Sequence, residues 1–202
     1  MKDTRQRILD TALTLFSQNG FSAVSIRDIC AQVQIKESTV YYHFTNKQAI
    51  FDELLQQFQT AAARLMSLLE QSFPAASLPA EGNFLGKTCD FFFEQYLMDD
   101  FCNKMLRLLS IEQFRSDEMR ETHHRWMFDV PLRFQSSLFS QLSEAGILRH
   151  PDSDYLAVKF YAPIFLFAQR WLLCGALSED SKQSFRADAY RHMQQFFEEL
   201  RG

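Results

Sequence analysis

Apolar positions along this chain recur at intervals of three and four residues, the repeat of a single buried helix face. The clearest run is Phe51, Leu54, Leu55, Phe58, Ala61, Ala62, Leu65, Leu68 and Leu69. It predicts a helix from about Lys47 to Gln71, roughly 37 Å long at about 1.5 Å per residue. Ile8, Leu9, Ala12, Leu13, Leu15 and Phe16 mark an earlier helix from Thr4 to Asn19, with Gly20 where a C-terminal cap belongs. Ile26, Ile29, Cys30 and Val33 mark another, behind Ser25; Ser25 and Asp28, three residues on, have capping-box spacing. A short helix covers Glu37 to His43, and Asn46 can cap the long helix that follows. Further helices are expected over 83–98, 100–114, 117–145, 153–176 and 180–200. Kinks are expected at Pro131 and Pro163, since proline lacks an N–H and crowds the carbonyl four residues back. Phe73 to Gly82 reads as a loop. With no convincing period-2 strand, the fold class is all-α, with about nine helices.

Composition adds little to the fold and more to the function. The net charge of −4 argues against bulk nucleic-acid binding. The distribution is less one-sided: in residues 1–50, Lys2, Arg5, Arg7, Arg27, Lys36 and Lys47 outnumber Asp3, Asp10, Asp28 and Glu37 by two. Most of the 21 phenylalanines lie after residue 50, giving the larger part of the chain an aromatic interior. Four cysteines (Cys30, Cys89, Cys102, Cys174) form no C-x-x-C pair, so neither zinc nor thioredoxin-like chemistry is indicated. No secretory leader is evident at the N-terminus. No apolar run is expected to reach the ~20 residues of a membrane span. The best candidate, Phe160 to Leu173, is interrupted by Pro163, Gln169 and Arg170. A cytoplasmic protein with reduced thiols is expected.

The second and third helices, joined at Gln34-Ile35-Lys36, have the form of a helix-turn-helix spanning roughly Ser25 to Phe44. In such a unit the second helix enters the major groove and the first braces it. That second helix reads Glu37-Ser38-Thr39-Val40-Tyr41-Tyr42-His43. Val40 and Phe44 can anchor it to a core, leaving Ser38, Thr39, Tyr42 and His43 to offer neutral donors and acceptors to bases and phosphates.

Three spaced pieces then carry a resemblance. They are Arg7, Ala12, Phe16, Gly20 and Phe21; Ser25-Ile26-Arg27-Asp28-Ile29; and Val40-Tyr41-Tyr42-His43-Phe44 with Lys47. In this order they resemble the DNA-binding domain of the tetracycline-repressor (TetR) family, over about a quarter of the chain. The resemblance implies a homodimer on double-stranded DNA with a palindromic operator, released by a small-molecule effector. It assigns base contacts to Arg27, Ser38, Thr39 and Tyr42, and phosphate contacts to Ser25, Tyr41, His43 and Lys47. It implies a DNA-binding domain of residues 1–46 and a ligand-binding and dimerisation domain of residues 47–202, with helix 47–71 connecting them. Two positions depart from the family pattern. Gln34 stands where glycine is common in the turn, and Lys36 replaces the usual Ser or Thr cap of the recognition helix.

Beyond the helix-turn-helix, the aromatic interior suggests a cavity for an apolar or aromatic molecule. Its candidate lining is Phe92, Gln95, Tyr96, Met105, Phe114, Trp126, Met127, Phe134 and Phe165. The last two helices carry more apolar surface than one copy covers. Phe160, Ile164, Phe167, Trp171, Phe196, Phe197 and Leu200 are the candidate dimer interface, pairing into a four-helix bundle. No cofactor motif is present. His123 and His124 are adjacent, about 100° apart on a helix, and cannot chelate one ion together. Two other readings stay open. One is a helical-bundle enzyme, whose di-iron form needs two Glu-x-x-His motifs where only Glu121-x-x-His124 occurs. The other is a ligand-responsive activator.

Overall fold

A computed structural model describes residues 3–71, 84–146, 148 and 152–201. The expected loop Phe73–Gly82 and His150 lie outside the described residues. The chain folds as α1 (Thr4–Asn19), α2 (Ile26–Val33), α3 (Glu37–His43), α4 (Lys47–Gln71), α5 (Phe84–Phe92), α6 (Asp100–Glu112), α7 (Asp117–His124), α8 (Val130–Glu144), α9 (Ser153–Ala168) and α10 (Glu179–Arg201). Three π-helical turns, Phe93–Leu97, Arg125–Asp129 and Gln169–Leu173, extend α5, join α7 to α8 and extend α9. Among the described residues these make nine continuous helices and no strand, as the periodicity predicts.

Two compact units result. The first is Met1–Ala62 with Lys104–His123, and the second is Ala63–Asn103 with His124–Gly202. The unit holding the helix-turn-helix therefore extends beyond residue 46 and takes in most of α6 and all but the last residue of α7.

In the first unit the stripe Ile8, Leu9, Ala12, Leu13 and Phe16 of α1 is buried against α2 and α3. Gly20 caps α1 with φ 81° and donates its N–H to the Phe16 carbonyl. A side chain is excluded there twice over: the backbone is left-handed, and a Cβ would sit 3.1 Å from Ile111 Cγ2 and 3.3 Å from Glu112 Oε1. Glu112, itself buried, accepts the N–H of Phe21 at 2.9 Å. Arg115 pairs with Glu112 at 3.1 Å and lies over the rings of both Phe21 and Phe51.

In the second unit α9 packs against both α8 and α10. Phe139, Phe160 and Phe196 meet there with ring centroids 5.1–5.9 Å apart. Burying each such side chain contributes about 1.5–3 kcal/mol. The π-turn Arg125–Asp129 precedes Pro131, and α8 begins with that proline in its first turn. Pro163 lies inside α9.

The apolar run Phe160 to Leu173 lies within one continuous helix, Ser153–Leu173. With 21 residues and a mean hydropathy of 1.2, it is long and apolar enough to cross a membrane by length and composition. The reason is that apolar residues occupy more than one of its faces. Leu156, Phe160 and Ile164 are buried within the unit, while Val158 and Leu166 are 52% and 61% exposed.

Candidate nucleic-acid interface

The helix-turn-helix is built from local rules at each end of α2. Ser25 is extended, accepts the Asp28 N–H at 3.2 Å and has its own N–H bonded to the Asp28 carboxylate at 2.8 Å, which completes the capping box. The Ser25 hydroxyl also donates to that carboxylate, and these bonds hold the Asp28 pKa below the usual carboxylate range. At the other end Gln34 is left-handed, with φ 61°, and donates its N–H to the Cys30 carbonyl. Arg7 closes that terminus by donating to the Val33 carbonyl at 2.7 Å, a cation at a helix C-terminus. The sequence pattern includes Arg7 but not this role.

Lys36 is the N-cap of α3 and supplies no side-chain bond; the helix nonetheless begins at Glu37. Tertiary anchors hold it. Val40 is fully buried and Phe44 nearly so, as their spacing predicts, and Arg5 lies 5.0 Å from the Phe44 ring centroid. Arg5 is held in turn by an ion pair to Glu53.

These anchors turn a polar face outward. Tyr42 is 85% exposed and Tyr41 52%, Ser38 is exposed, and Thr39 and His43 are half-buried. The Tyr42 and His43 rings meet edge to face at 5.0 Å. Arg27 is exposed and pairs with Glu37 at 3.1 Å, so α2 and α3 present their outer side chains together. Lys36, which the sequence reasoning treated only as a missing cap, also lies exposed at the start of α3. Its signal was available in the sequence as a cation next to the recognition helix.

Lys47 is placed differently from its neighbours. Its ammonium donates to the carbonyls of Phe21 at 2.7 Å and Val24 at 2.6 Å, and stands 4.2 Å from the Phe21 ring centroid. Desolvation there lowers its pKa from the ordinary lysine value. The amine ties down the α1–α2 connection. Asn46 caps α4 by accepting the Ala49 N–H at 2.8 Å, as expected.

The ligand and dimer candidates need correction. Phe114 is 89% exposed and cannot line an interior cavity, and Gln95 is exposed. Met105 is fully buried, but within the first unit. Of the expected lining, Phe92 and Phe134 face a common cleft in the second unit. Tyr96 is buried with its hydroxyl donating to the Trp126 carbonyl, Met127 is buried, and Phe165 packs on Phe128 at 5.0 Å. Among the dimer candidates, Phe160, Ile164 and Phe196 are buried inside one copy by α8 and α10, so they cannot face a partner. Phe167, Trp171, Phe197 and Leu200 are half-buried, and Trp171 donates to Asp188 at 2.9 Å. The exposed stripe of α9 is instead Tyr155, Val158, Ala162 and Leu166. Cys89 and Cys102 are free, their thiols pushed up to about 12 by burial, which makes them unreactive. Among the described residues no group of His, Cys, Asp or Glu is arranged to hold a metal ion.

Residues 8–54 match the family model of bacterial regulatory proteins, tetR family. The chain is 25% identical over 200 residues to the biofilm operon icaADBC HTH-type negative transcriptional regulator IcaR of Staphylococcus epidermidis, covering 94% of this chain and 95% of that one. IcaR of Staphylococcus aureus is 24% identical over 205 residues, with the same coverage. Among solved structures, a TetR-family transcriptional regulator from Mesorhizobium loti aligns with TM-score 0.67 at 20% identity, over 96% of this chain and 95% of that one. The fatty acid degradation regulator FadR from Bacillus halodurans aligns with TM-score 0.66 at 18% identity, over 100% and 98%. The helix-turn-helix geometry and the matched segment agree: residues 8–54 form a DNA-binding domain of the kind found in tetR-family bacterial regulatory proteins, and the all-helical fold is shared along the chain.

Proposed function

We propose that the protein is a repressor that binds a palindromic operator as a homodimer and is released by a small molecule, working in the cytoplasm. The observation that carries this reading is the outward face of α3, where Tyr42 is 85% exposed on a helix pinned by fully buried Val40. An exposed aromatic of this size, flanked by hydroxyl and imidazole groups, suits a nucleic-acid surface better than water. Arg27, Ser38, Thr39 and Tyr42 face bases in this reading. Ser25, Tyr41, His43 and Lys36 meet phosphates, and Lys47 acts chiefly by positioning the α1–α2 connection. Residues 1–46 then form the DNA-reading part.

Repression rather than activation is supported by the relatives, since IcaR is a negative transcriptional regulator. Dimerisation is supported by the exposed stripe on α9. Pairing it across a two-fold axis would bury Val158 and Leu166 and set two recognition helices about 34–36 Å apart, or a multiple of that.

The test is selection of binding sites from a random duplex library, followed by titration of the selected site. A palindromic consensus is expected, with binding weakened more than 100-fold in the Thr39→Ala, Tyr42→Ala double variant at about 1–3 kcal/mol per lost contact. Full affinity in that variant would refute the recognition assignment.

A further inference from the structure

The second unit contains a cleft between α5, α8, α9 and α10, walled by Phe92, Phe93, Phe134, Phe139 and Phe160. Thr88, Cys89, Leu138, Phe197 and the amide of Gln135 complete the lining among the described residues. Gln135 is 6% exposed, and its side-chain carbonyl oxygen is solvent-excluded and accepts no hydrogen bond from the protein. It occupies a core position of α8: Pro131, Phe134, Gln135, Leu138, Phe139 and Leu142 form the buried stripe. An apolar residue there would fill the stripe with no unsatisfied acceptor, so the amide is held at a cost in stability. Among the described residues the cleft's lining includes no acidic or basic side chain, and burial pushes the Cys89 thiol up to about 12.

We propose that this cleft is the subsite for a neutral aromatic molecule of one or two fused rings bearing a single hydroxyl or N–H, and that Gln135 selects it by accepting that hydrogen. The proposal rests on the small-molecule-responsive reading and names the ligand chemistry for it. The open space at the cleft's centre is about 20 Å³, room for one water molecule. A ring enters only as Phe134 and the half-buried Phe197 turn aside. Binding is therefore coupled to repacking of α8, and such a ligand distinguishes two conformations, which it must do to shift their balance. A flat ring needs the smallest displacement. Its one polar hydrogen meets the Gln135 oxygen, which accepts no bond from the protein, and an ether of the same shape leaves that acceptor unsatisfied.

The experiment uses 2-naphthol and 2-methoxynaphthalene as a matched pair, with affinities measured by calorimetry on the full chain. Wild type is expected to bind the naphthol at least ten-fold more tightly than the ether. Gln135→Leu and Gln135→Met are each expected to bind both compounds within two-fold of one another. The two variants guard against a folding defect in either, and the wild-type preference is decisive without them. Equal binding of the pair by wild type, no binding of either, or a preference that survives in the variants overturns the proposal. Operator affinity measured in parallel separates the two readings. Gln135-dependent naphthol binding that leaves operator affinity unchanged keeps the subsite and removes the effector reading. Operator release by naphthol that persists in Gln135→Leu keeps the effector reading and removes the subsite.

Discussion

The hydroxyl of Tyr161 donates to the carbonyl of Met127 at 2.8 Å, the acceptor that Pro131, four residues on, has no N–H to satisfy. The adjacent carbonyl is treated the same way. In the π-turn Arg125–Asp129 the Val130 N–H bonds to Arg125, which takes it away from Trp126, and the Tyr96 hydroxyl donates to the Trp126 carbonyl at 2.7 Å. Two buried phenols thus replace the backbone donors that one proline and one π-turn remove. Burial raises the pKa of both, which keeps them as donors.

Tyr161→Phe is accordingly expected to destabilise the protein by about 1–3 kcal/mol, the usual cost of leaving a buried acceptor unmade. The loss should shrink by at least half when Pro131→Ala restores a backbone N–H at that position. Urea denaturation of the two single variants and the double variant reads this coupling. Strictly additive losses would show that the tyrosine is not standing in for the proline.

Glu112 and Phe21 are 91 residues apart, yet the buried carboxylate holds the Phe21 N–H at 2.9 Å while Arg115 pairs with the same side chain. Glu112→Ala leaves a part-buried N–H without its acceptor and the Arg115 guanidinium without its anion. A loss of about 1.5–3 kcal/mol is expected, the range for hydrogen bonds to charged groups. Gly20→Ala, beside the same carboxylate, is expected to destabilise as well, by strain rather than by a lost bond. Denaturant titration followed by circular dichroism would measure both; a Glu112→Ala protein as stable as wild type would remove the contact's importance.

Gln34 adopts φ 61° in the turn between α2 and the recognition helix. An L-residue there carries roughly 1–2 kcal/mol of strain that glycine lacks, partly offset by glycine's greater freedom in the unfolded chain. Gln34→Gly should therefore raise stability by about 0.5–1 kcal/mol while the helices on either side remain. The check is the denaturation midpoint at unchanged slope; a lower midpoint would mean that the left-handed turn is unstrained with glutamine.

Leu166 is 61% exposed and Phe160, six residues earlier, is 4% exposed. If α9 pairs two copies through its outer stripe, Leu166→Glu should yield a folded monomer in sedimentation equilibrium. Phe160→Glu should instead unfold the second unit, because it places an unpaired charge among packed rings. A Leu166→Glu protein that sediments as a dimer would place the interface elsewhere.

The nine helices of the described residues, most of their ends and the anchors of the recognition helix were legible in the pattern of the chain alone. Periodicity, caps such as Ser25 with Asp28, and the Val40–Phe44 spacing all act within one or two turns of chain. The sequence pattern also indicated that the last two helices carry more apolar surface than one copy covers, but not which side of each faces inward. That choice follows from where α8 and α10 pack, so Phe160 and Ile164 became core and Leu166 became surface. The same limit applies to Phe114, which spacing admits to a cavity and packing leaves exposed, and to Gln135, whose burial no local pattern marks. The tyrosine bonds to Met127 and Trp126 and the Glu112–Phe21 contact join residues 30 to 91 positions apart. Local spacing carries no information about such distances. They depend on the angle at which one helix meets another, which side-chain packing across the whole unit decides.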